Sequence, residues 1–216
     1  MKTRFLALTI LISVAFTAVH AQQDSVRYRH DIGFNTMFIL QGIFDSGNTP
    51  FNIMYKKYVA SDKAIRLGLN ATFSLNNGDE EDSPVGTVSD RSSANISLII
   101  GRERQNSVNT RWIWYYGAHV VPSYFFDNVD YYLDGQLNQT YESSSLGISL
   151  RPFLGIRFNI NNRLYLSAES RISLDYRHSK NFGENVQTDV IINDTNSSSL
   201  SFAIFPASGL FLFYRF

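Results

Sequence analysis

The 216-residue sequence contains no cysteine, and this absence excludes several classes of protein. Without cysteine, an exported chain can form neither a disulfide scaffold nor a thiolate metal site, and it has no N-terminal cysteine to carry a lipid anchor. The four histidines, His20, His30, His119 and His178, are scattered along the chain, so their spacing predicts no metal cluster. The sequence therefore predicts no cofactor and no metal centre built from histidine or cysteine.

The chain also lacks an excess of basic charge and, beyond its N-terminus, any long apolar run. When Lys2 and Arg4 are set aside, 17 basic residues (19 minus 2) face 19 acidic ones, which gives a net charge of −2. No basic surface is therefore expected that would attract nucleic acid. No stretch after Ala21 approaches the ~20 apolar residues that a transmembrane helix needs.

The N-terminus has the composition of an export signal. A short basic segment precedes a nearly continuous apolar run from Phe5 to Val19, and Val19-His20-Ala21 has the small residues of a cleavage site. The apolar run is too short to be a spanning helix. We therefore expect a cleaved signal peptide at residues 1–21 and a mature domain at residues 22–216.

Apolar and polar residues alternate strictly between Ile65 and Leu75. A period of two is typical of a β-strand with two different faces, and this length matches the ~9–11 residues of a tilted membrane-spanning strand. The same pattern recurs in eight segments separated by turn residues. The predicted strands cover about His30–Phe44, Phe51–Val59, Ile65–Leu75, Ala94–Glu103, Arg111–Phe125, Ser145–Ile160, Arg163–Arg177 and Ser199–Phe216.

These eight segments predict an all-β fold, an eight-stranded antiparallel transmembrane β-barrel of the outer-membrane type. An even number of strands allows an antiparallel barrel to close, and closure leaves no unpaired sheet edge in lipid. The gaps between strands also alternate in length, because three of the four odd-numbered gaps are long and all even-numbered gaps are short. The odd-numbered gaps are 45–50, 76–92, 126–141 and 178–198, and the even-numbered gaps are 60–63, 104–110 and 161–162.

Long outer loops and short periplasmic turns are typical of outer-membrane barrels. The alternative is a soluble, lipocalin-like barrel, which would turn its apolar face inward around a ligand. Such a barrel gives no reason for the alternating gap lengths. The transmembrane barrel, with its apolar face toward lipid, is therefore the favoured prediction.

The last eight residues, GLFLFYRF from Gly209 to Phe216, place an apolar side chain at every second position. A terminal phenylalanine after such a pattern resembles the signal that the bacterial barrel-assembly machinery reads, and we interpret Leu212, Tyr214 and Phe216 as that signal. The resemblance implies a location in the bacterial outer membrane. It also implies that the partners include outer-membrane lipid, lipopolysaccharide and, during biogenesis, the barrel-assembly machinery.

Two strand–turn–strand stretches have the style of a known group of proteins. PFNIMYKKYVASDKAIRLGLN (Pro50–Asn70) and LGIRFNINNRLYLSAES (Leu154–Ser170) resemble the small outer-membrane barrels of Bacteroidota, the PorT-like and OmpA-like eight-stranded group. The resemblance implies a role at the cell envelope, such as secretion or envelope assembly alongside another envelope protein. It identifies no catalytic residue and no activity.

Many charged residues share the predicted inward face of these strands, including Lys56 and Glu103. Eight strands enclose a lumen just wide enough for side chains, so each buried charge must find a partner or water. The short turn at 161–162 places Arg157 opposite about Leu166. We expect a lumenal ionic network formed by Arg66, Arg151, Arg157, Glu169, Arg171 and Asp175. This network has two interpretations, a plug that fills the lumen and a gated ion path like the arginine–glutamate gate proposed for the OmpA barrel.

The sequence gives little support to an enzyme. His119 and Ser123 share an inward face but lie four residues apart, about 13 Å along a strand at ~3.3 Å per residue, too far for a nucleophile and its base. We therefore predict a non-enzymatic barrel with a structural or partner- or ligand-binding role. The alternatives are an enzyme that modifies lipid A or phospholipid, using His, Ser and a carboxylate near the outer leaflet, and a narrow gated channel.

The predicted outer loops contain the remaining candidate binding residues. A dense group of carboxylates there suits Ca²⁺ or Mg²⁺ bridged to lipopolysaccharide phosphates, although the spacing matches no EF-hand. Neighbouring tyrosines suit recognition of a sugar or a protein. The candidate loop residues are Asp79, Glu80, Glu81, Asp82, Tyr131 and Tyr132.

Overall fold

The computed structural model describes residues 29–36, 51–77, 87–133 and 136–216, which form eight antiparallel strands. Each strand pairs with the next along the chain, and the last pairs with the first, so the sheet closes into a barrel. The strands are β1 (His30–Asn35), β2 (Phe51–Ala60), β3 (Lys63–Asn77), β4 (Thr87–Ser107), β5 (Trp112–Leu133), β6 (Gln136–Asn159), β7 (Leu164–Asn185) and β8 (Val190–Arg215). The predicted signal peptide lies outside the described residues.

The apolar face of the sheet points outward and the charged face points inward. Leu67, Leu69 and Ile156 are 45%, 36% and 47% exposed on the outer wall, whereas Arg66 is completely buried in the lumen. An outward apolar belt on a closed sheet is the arrangement that lipid requires, because acyl chains solvate apolar side chains and closure satisfies the backbone. The predicted eight-stranded transmembrane barrel is confirmed, and the soluble, lipocalin-like alternative is wrong.

Aromatic side chains ring the end of the barrel where the short turns lie. Trp112 packs on Phe158 with ring centroids 4.8 Å apart, and Tyr214 stacks on Phe216 at 6.4 Å. These rings lie on the outer wall next to the turns, where amphipathic rings favour the membrane–water interface. The short-turn end of the barrel therefore lies at one surface of the membrane.

Asparagine side chains shape two of the short turns. Asn109 Oδ1 accepts hydrogen bonds from the backbone N–H groups of Arg111 and Trp112, at 2.9 and 2.8 Å. Asn161 Oδ1 accepts them from Arg163 and Leu164, both at 2.8 Å. Such bonds stabilise a tight turn without help from the rest of the fold. The short turns that the sequence predicts therefore have a local cause.

Strands β4 to β8 are much longer than the sequence predicts, with 21 to 26 residues each. The predicted outer loops 126–141 and 178–198 are wrong, because they continue the strands: Asp127 pairs with Ser143, and Asn181 with Thr195. Only ~9–11 residues are needed to cross a bilayer, so these strands rise beyond the apolar belt. We call residues 87–95, 125–133, 136–145, 177–185 and 190–199 the outer extension.

Alternation could not reveal the outer extension, because water meets its polar side chains on both faces and the pattern of two disappears there. Tyr131 and Tyr132 therefore lie within β5 and not in a loop.

Some predicted features lie outside the described residues. These are the acidic candidates from Asp79 to Asp82 and residues 37–44 of the predicted first strand. The described residues contain no helix that is long and apolar enough to cross a membrane.

Two glycines allow aromatic rings to lie against the inner wall of the narrow lumen. Gly155 pairs with Tyr115 across β5 and β6, and Gly33 pairs with Phe213 across the closing seam. At either glycine a Cβ atom would overlap the carbon atoms of the partner ring. The rings therefore occupy the space that any other residue at these positions would fill.

Candidate functional site

Four charged side chains meet across the middle of the lumen, and with Tyr115 they form what we call the middle layer. Lys56 from β2 and Arg66 from β3 both contact Glu103 Oε2 on β4, at 2.8 and 3.1 Å. Arg66 also reaches Glu169 Oε1 on β7, at 2.7 Å. These four side chains are at most 7% exposed, so each charge is neutralised by a partner and not by bulk water.

Aromatic rings complete the middle layer. Tyr115 donates a hydrogen bond to Glu169 Oε1 at 2.9 Å. Lys56 Nζ lies 4.3 Å from the ring centroid of Phe213, and the Arg66 guanidinium lies 4.3 Å from that of Phe153. Ring faces attract cations, more strongly where water is excluded. The middle layer is therefore a buried and charge-balanced group of side chains that spans the lumen.

A second cluster, the inner layer, lies between the middle layer and the short-turn end. Asp31 Oδ2 accepts hydrogen bonds from the hydroxyls of Tyr58 and Tyr165, at 2.7 and 2.5 Å. Arg157 Nη1 donates to the Tyr58 oxygen at 3.0 Å and to Gln105 Oε1 at 3.2 Å. Gln105 also donates to Glu103 of the middle layer, so the two layers form one connected network.

A third cluster, the outer layer, faces the outer extension. Arg151 donates to Ser173 and Ser149 at 3.2 Å and contacts Asp175 Oδ1 at 3.4 Å. The side chains of Arg151 and Asp175 are 18% and 29% exposed, so water reaches them. Arg171 lies over the ring of Phe205, 4.9 Å from its centroid. The lumen therefore opens toward this end of the barrel and is closed below it.

The six residues predicted as one ionic network lie in all three layers. Arg66 and Glu169 form a direct ion pair in the middle layer, and Arg157 belongs to the inner layer. Arg151, Arg171 and Asp175 belong to the outer layer, where Arg151 and Asp175 are paired. The pairing of β6 with β7 sets Arg157 opposite Ser167, one residue from the predicted position.

Sequence reasoning left several network residues out, among them Asp31, Lys56, Glu103, Tyr115 and Tyr165. Lys56 and Glu103 carried a usable signal, since each lies on the predicted inward face of its strand. Tyr115 and Tyr165 also lie on the predicted inward faces, but a tyrosine on a barrel strand is equally typical of the membrane interface, so neither was assigned to the network. Asp31 was not assigned to the network because it lies at the start of the predicted first strand, where the alternation is too short to define the two faces.

The three histidines among the described residues occupy different environments. His119 is buried in the lumen and stacks on Phe153, with ring centroids 4.3 Å apart. His30 Nδ1 lies 2.6 Å from the Tyr55 hydroxyl. His178 Nδ1 lies 3.0 Å from Ser198 Oγ on the exposed wall of the outer extension. Within the described ranges, no three His, Asp or Glu side chains are grouped so that they could hold a metal ion.

The residues interpreted as an assembly signal lie on the last strand near the short-turn end. Leu212 pairs with Phe34 on one side and Leu166 on the other. Tyr214 and Phe216 are 40% and 53% exposed on the outer wall. The backbone of Phe216 exchanges hydrogen bonds with His30, at 2.9 and 3.2 Å, so the chain is paired up to this residue.

Solvent-exposed polar side chains form contacts between the strands of the outer extension. Arg91 donates two hydrogen bonds to the Asp127 carboxylate, at 2.8 and 2.9 Å, although its side chain is 55% exposed. These bonds raise the pKa of Arg91 above its ordinary value. Tyr131 packs edge-on against Tyr141, with ring centroids 5.8 Å apart. The two predicted tyrosine candidates therefore border an ordered sheet surface.

Comparisons with known proteins give structural neighbours but no family. No protein-family model matches the chain, and no curated protein matches it in sequence. The chain is similar to the ferric yersiniabactin uptake receptor FyuA of Yersinia pestis, with 9% identity and a TM-score of 0.47 over 74% of this chain, but it spans only 26% of that receptor.

Two smaller solved structures match along nearly their whole length. A major outer membrane protein of Thermus thermophilus is 16% identical, with a TM-score of 0.45 over 88% of this chain and 98% of that one. Ail, the attachment invasion locus protein of Yersinia pestis, is 16% identical, with a TM-score of 0.37 over 87% and 97%. Similarity at this level assigns no function, so the functional argument depends on the residues of this chain.

Proposed function

We propose that this protein is a bacterial outer-membrane barrel with a structural or partner-binding role at the cell envelope, and that it is not an enzyme. The observation that supports this most is the middle layer. Lys56, Arg66 and Glu103 lie in the middle of the lumen with completely buried side chains, which supports a lumen closed at this level. A barrel closed in this way acts through its ends and its wall.

The two ends of the barrel differ in a way that suggests its orientation. We assign the short-turn end to the periplasm and the outer extension to the cell exterior, because outer-membrane barrels have short periplasmic turns. In this orientation the long strands β4 to β8 hold a continuous sheet surface above the membrane. A rigid sheet surface loses little conformational entropy on binding, which suits recognition of another envelope protein or a sugar.

A narrower form of the proposal follows from the sequence resemblance. The PorT-like group of Bacteroidota barrels suggests a role in secretion or envelope assembly, in a complex with another envelope protein. The ordered outer extension supports this form, since a docking surface must hold its shape. The experiment below tests both forms through the same variant.

Co-purification after solubilisation in mild detergent tests partner binding. We expect a distinct envelope protein to be recovered with the wild-type barrel, and to be lost when Tyr131 and Tyr132 are both replaced by alanine. Tyr116→Ala is the matched control, because Tyr116 is an exposed aromatic residue on the wall far from the outer extension. Equal recovery with all three proteins would place the contact elsewhere, and recovery with none would contradict partner binding.

Electrical recording tests whether the lumen is closed. We expect no discrete single-channel steps when the wild-type barrel is inserted into planar lipid bilayers, because the middle layer blocks the path. Regular steps whose conductance changes in Glu169→Ala would instead support the gated ion path. The variant is informative because Glu169 holds both Arg66 and Tyr115.

One contact favours a second candidate function, an enzyme acting on lipid A or phospholipid. His178 Nδ1 lies 3.0 Å from Ser198 Oγ at the end assigned to the exterior, which is within reach for a base and a nucleophile. Among the described residues, however, no carboxylate is hydrogen-bonded to His178 to orient it as a base. The His178–Ser198 pair therefore supports an enzymatic function less strongly than the buried middle layer supports a non-enzymatic one.

Release of fatty acid from lipopolysaccharide or phospholipid tests the enzyme directly. We expect none from the wild-type barrel. Loss of a measurable release in Ser198→Ala, with release preserved in Ser197→Ala, would establish the enzyme and overturn the non-enzymatic proposal. Ser197 is a suitable control because it neighbours Ser198 in sequence and pairs with Ser179 instead of His178.

A further inference from the structure

We infer that a monatomic anion of halide size binds in the lumen, in a small cavity between the middle and outer layers. The cavity has a volume of about 20 Å³, and its polar lining includes Asn52, His119, Arg151, Glu169 and Arg171. A cavity of this size holds a single water-sized species. Sulfate, phosphate or an organic acid would not fit.

Three residues that line this cavity each have a buried polar atom without a hydrogen-bond partner among the described residues. These atoms are His119 Nε2, Arg171 Nε and Asn52 Oδ1. His119 itself is only 6% exposed. A buried polar group without a partner is costly, and most such groups in proteins are satisfied. Two of the three atoms are ring or guanidinium nitrogens, which can donate hydrogen bonds to an anion.

The charge around the cavity selects an anion. Arg151 and Arg171 both line it, and in the outer layer they face the single carboxylate of Asp175, which leaves one positive charge in excess. Within the described ranges, no carboxylate oxygen lies within 4.0 Å of Arg171. Glu169 also borders the cavity, but its Oε1 is already engaged by Arg66 and Tyr115. Arg171 is half-buried, so its charge is partly removed from water, and an anion beside it would balance a charge that no neighbouring carboxylate pairs with.

The walls and the approach suit a weakly hydrated ion. The apolar part of the lining is Met54, Ile99, Val121, Phe153 and Phe211. An ion that enters must therefore shed most of its water, which favours halides over strongly hydrated anions. The partly exposed side chains of Arg151 and Asp175 show that solvent reaches the outer side of the site. The ion can therefore enter from the end that we assign to the exterior, and this holds whichever role the outer extension has.

Anomalous diffraction from crystals grown in sodium bromide tests the site directly. We expect an anomalous peak inside the cavity, within hydrogen-bonding distance of His119 and Arg171. A parallel measurement compares thermal unfolding in detergent with sodium bromide and with sodium gluconate at equal concentration. Since a ligand that binds only the folded state raises its stability, we expect a melting temperature about 2–4 °C higher in bromide.

Two variants assign any effect to this cavity. Arg171→Met removes the cation that has no carboxylate beside it, and His119→Phe keeps a ring against Phe153 while it removes the ring nitrogens. We expect each to abolish the bromide peak and the difference in melting temperature between the salts. Arg91→Met is the control, because Arg91 lies in the outer extension. This variant must retain the bromide peak and the difference in melting temperature between the two salts. If Arg171→Met fails to fold, His119→Phe alone decides the matter. No peak in the wild type, or a salt difference that both variants keep, would overturn the inference and indicate water in the cavity.

Discussion

The middle layer and the outer extension are built from overlapping strands, yet different forces hold them. In the middle layer the charges are buried and depend on one another, as in the contacts of Arg66 with Glu103 and Glu169. In the outer extension the Arg91–Asp127 pair is exposed, and water can replace either partner. The same type of contact therefore contributes very different amounts to stability at the two levels of the barrel.

The two regions should therefore differ in how well they tolerate substitutions. A substitution in the middle layer leaves a charge that nothing else can solvate. A substitution in the outer extension is absorbed by solvent, provided that the backbone pairing persists. The following predictions test this contrast by the free energy of unfolding in urea, measured on the barrel reconstituted in detergent micelles or vesicles.

Arg66→Met should have the largest effect, because it leaves the buried carboxylates of Glu103 and Glu169 with fewer partners. We expect a loss of about 3–5 kcal/mol in the free energy of unfolding, or failure to fold. Arg91→Met is the matched control for this loss of a paired guanidinium. If the two variants were equally stable, the middle layer would be hydrated, and the contrast between the regions would fail.

Leu150→Arg should have the next largest effect, because it puts a charge on the lipid-facing wall. Leu150 is 50% exposed within the apolar belt. An arginine near the bilayer midplane costs about 2–4 kcal/mol, and one near or beyond the interface costs about 0–1 kcal/mol. Leu133→Arg, in the outer extension, is the control. If both variants lost the same free energy of unfolding, the apolar belt would not end below Leu133.

Gly155→Ala tests how tightly the lumen is filled. The added methyl group would collide with the Tyr115 ring, so we expect a loss of about 1–3 kcal/mol and a change in the near-ultraviolet circular dichroism of tyrosine. Gly147→Ala is the control, since its nearest neighbour is the movable hydroxyl of Ser123 at 2.7 Å. If Gly155→Ala costs no more than Gly147→Ala, the rings of the middle layer are not fixed.

Arg91→Met should have the smallest effect, about 0–1 kcal/mol, and the effect should shrink further at high salt. Asp127 raises the pKa of Arg91, so the stability that this arginine contributes is present below its ordinary pKa and is lost only above the raised value. The difference between wild type and Arg91→Met should therefore stay constant from about pH 7 to 10. A difference that decreased over this range would contradict the assignment of the effect to this pair.

The sequence was a good guide to the barrel wherever lipid is on one side and the lumen on the other. Alternation from Ile65 to Leu75 identified β3 and its faces, because burial in lipid demands an apolar side chain at every outward position. The same rule failed above the membrane, where polar residues are acceptable on both faces. The strands therefore continue through Asp127 and Asn181, where the sequence reads as loop.

The candidate site was predictable only in part, for a geometric reason. Inward-facing charges could be found from the pattern, but their partners depend on which strands face each other across the lumen. Arg66 and Glu169 lie 103 positions apart, on opposite walls, and nothing in either local sequence connects them. The layers emerge only when the order and register of all eight strands are known.

The reach of Arg66 has a consequence for how the protein assembles. Its bond to Glu103 joins neighbouring strands and could form as soon as β3 and β4 make a hairpin. Its bond to Glu169 joins β3 to β7 and can form only after the intervening strands have curled round to bring the walls together. Until then one carboxylate would remain in water. The rolled sheet therefore gains an ion pair between β3 and β7 that an open sheet lacks.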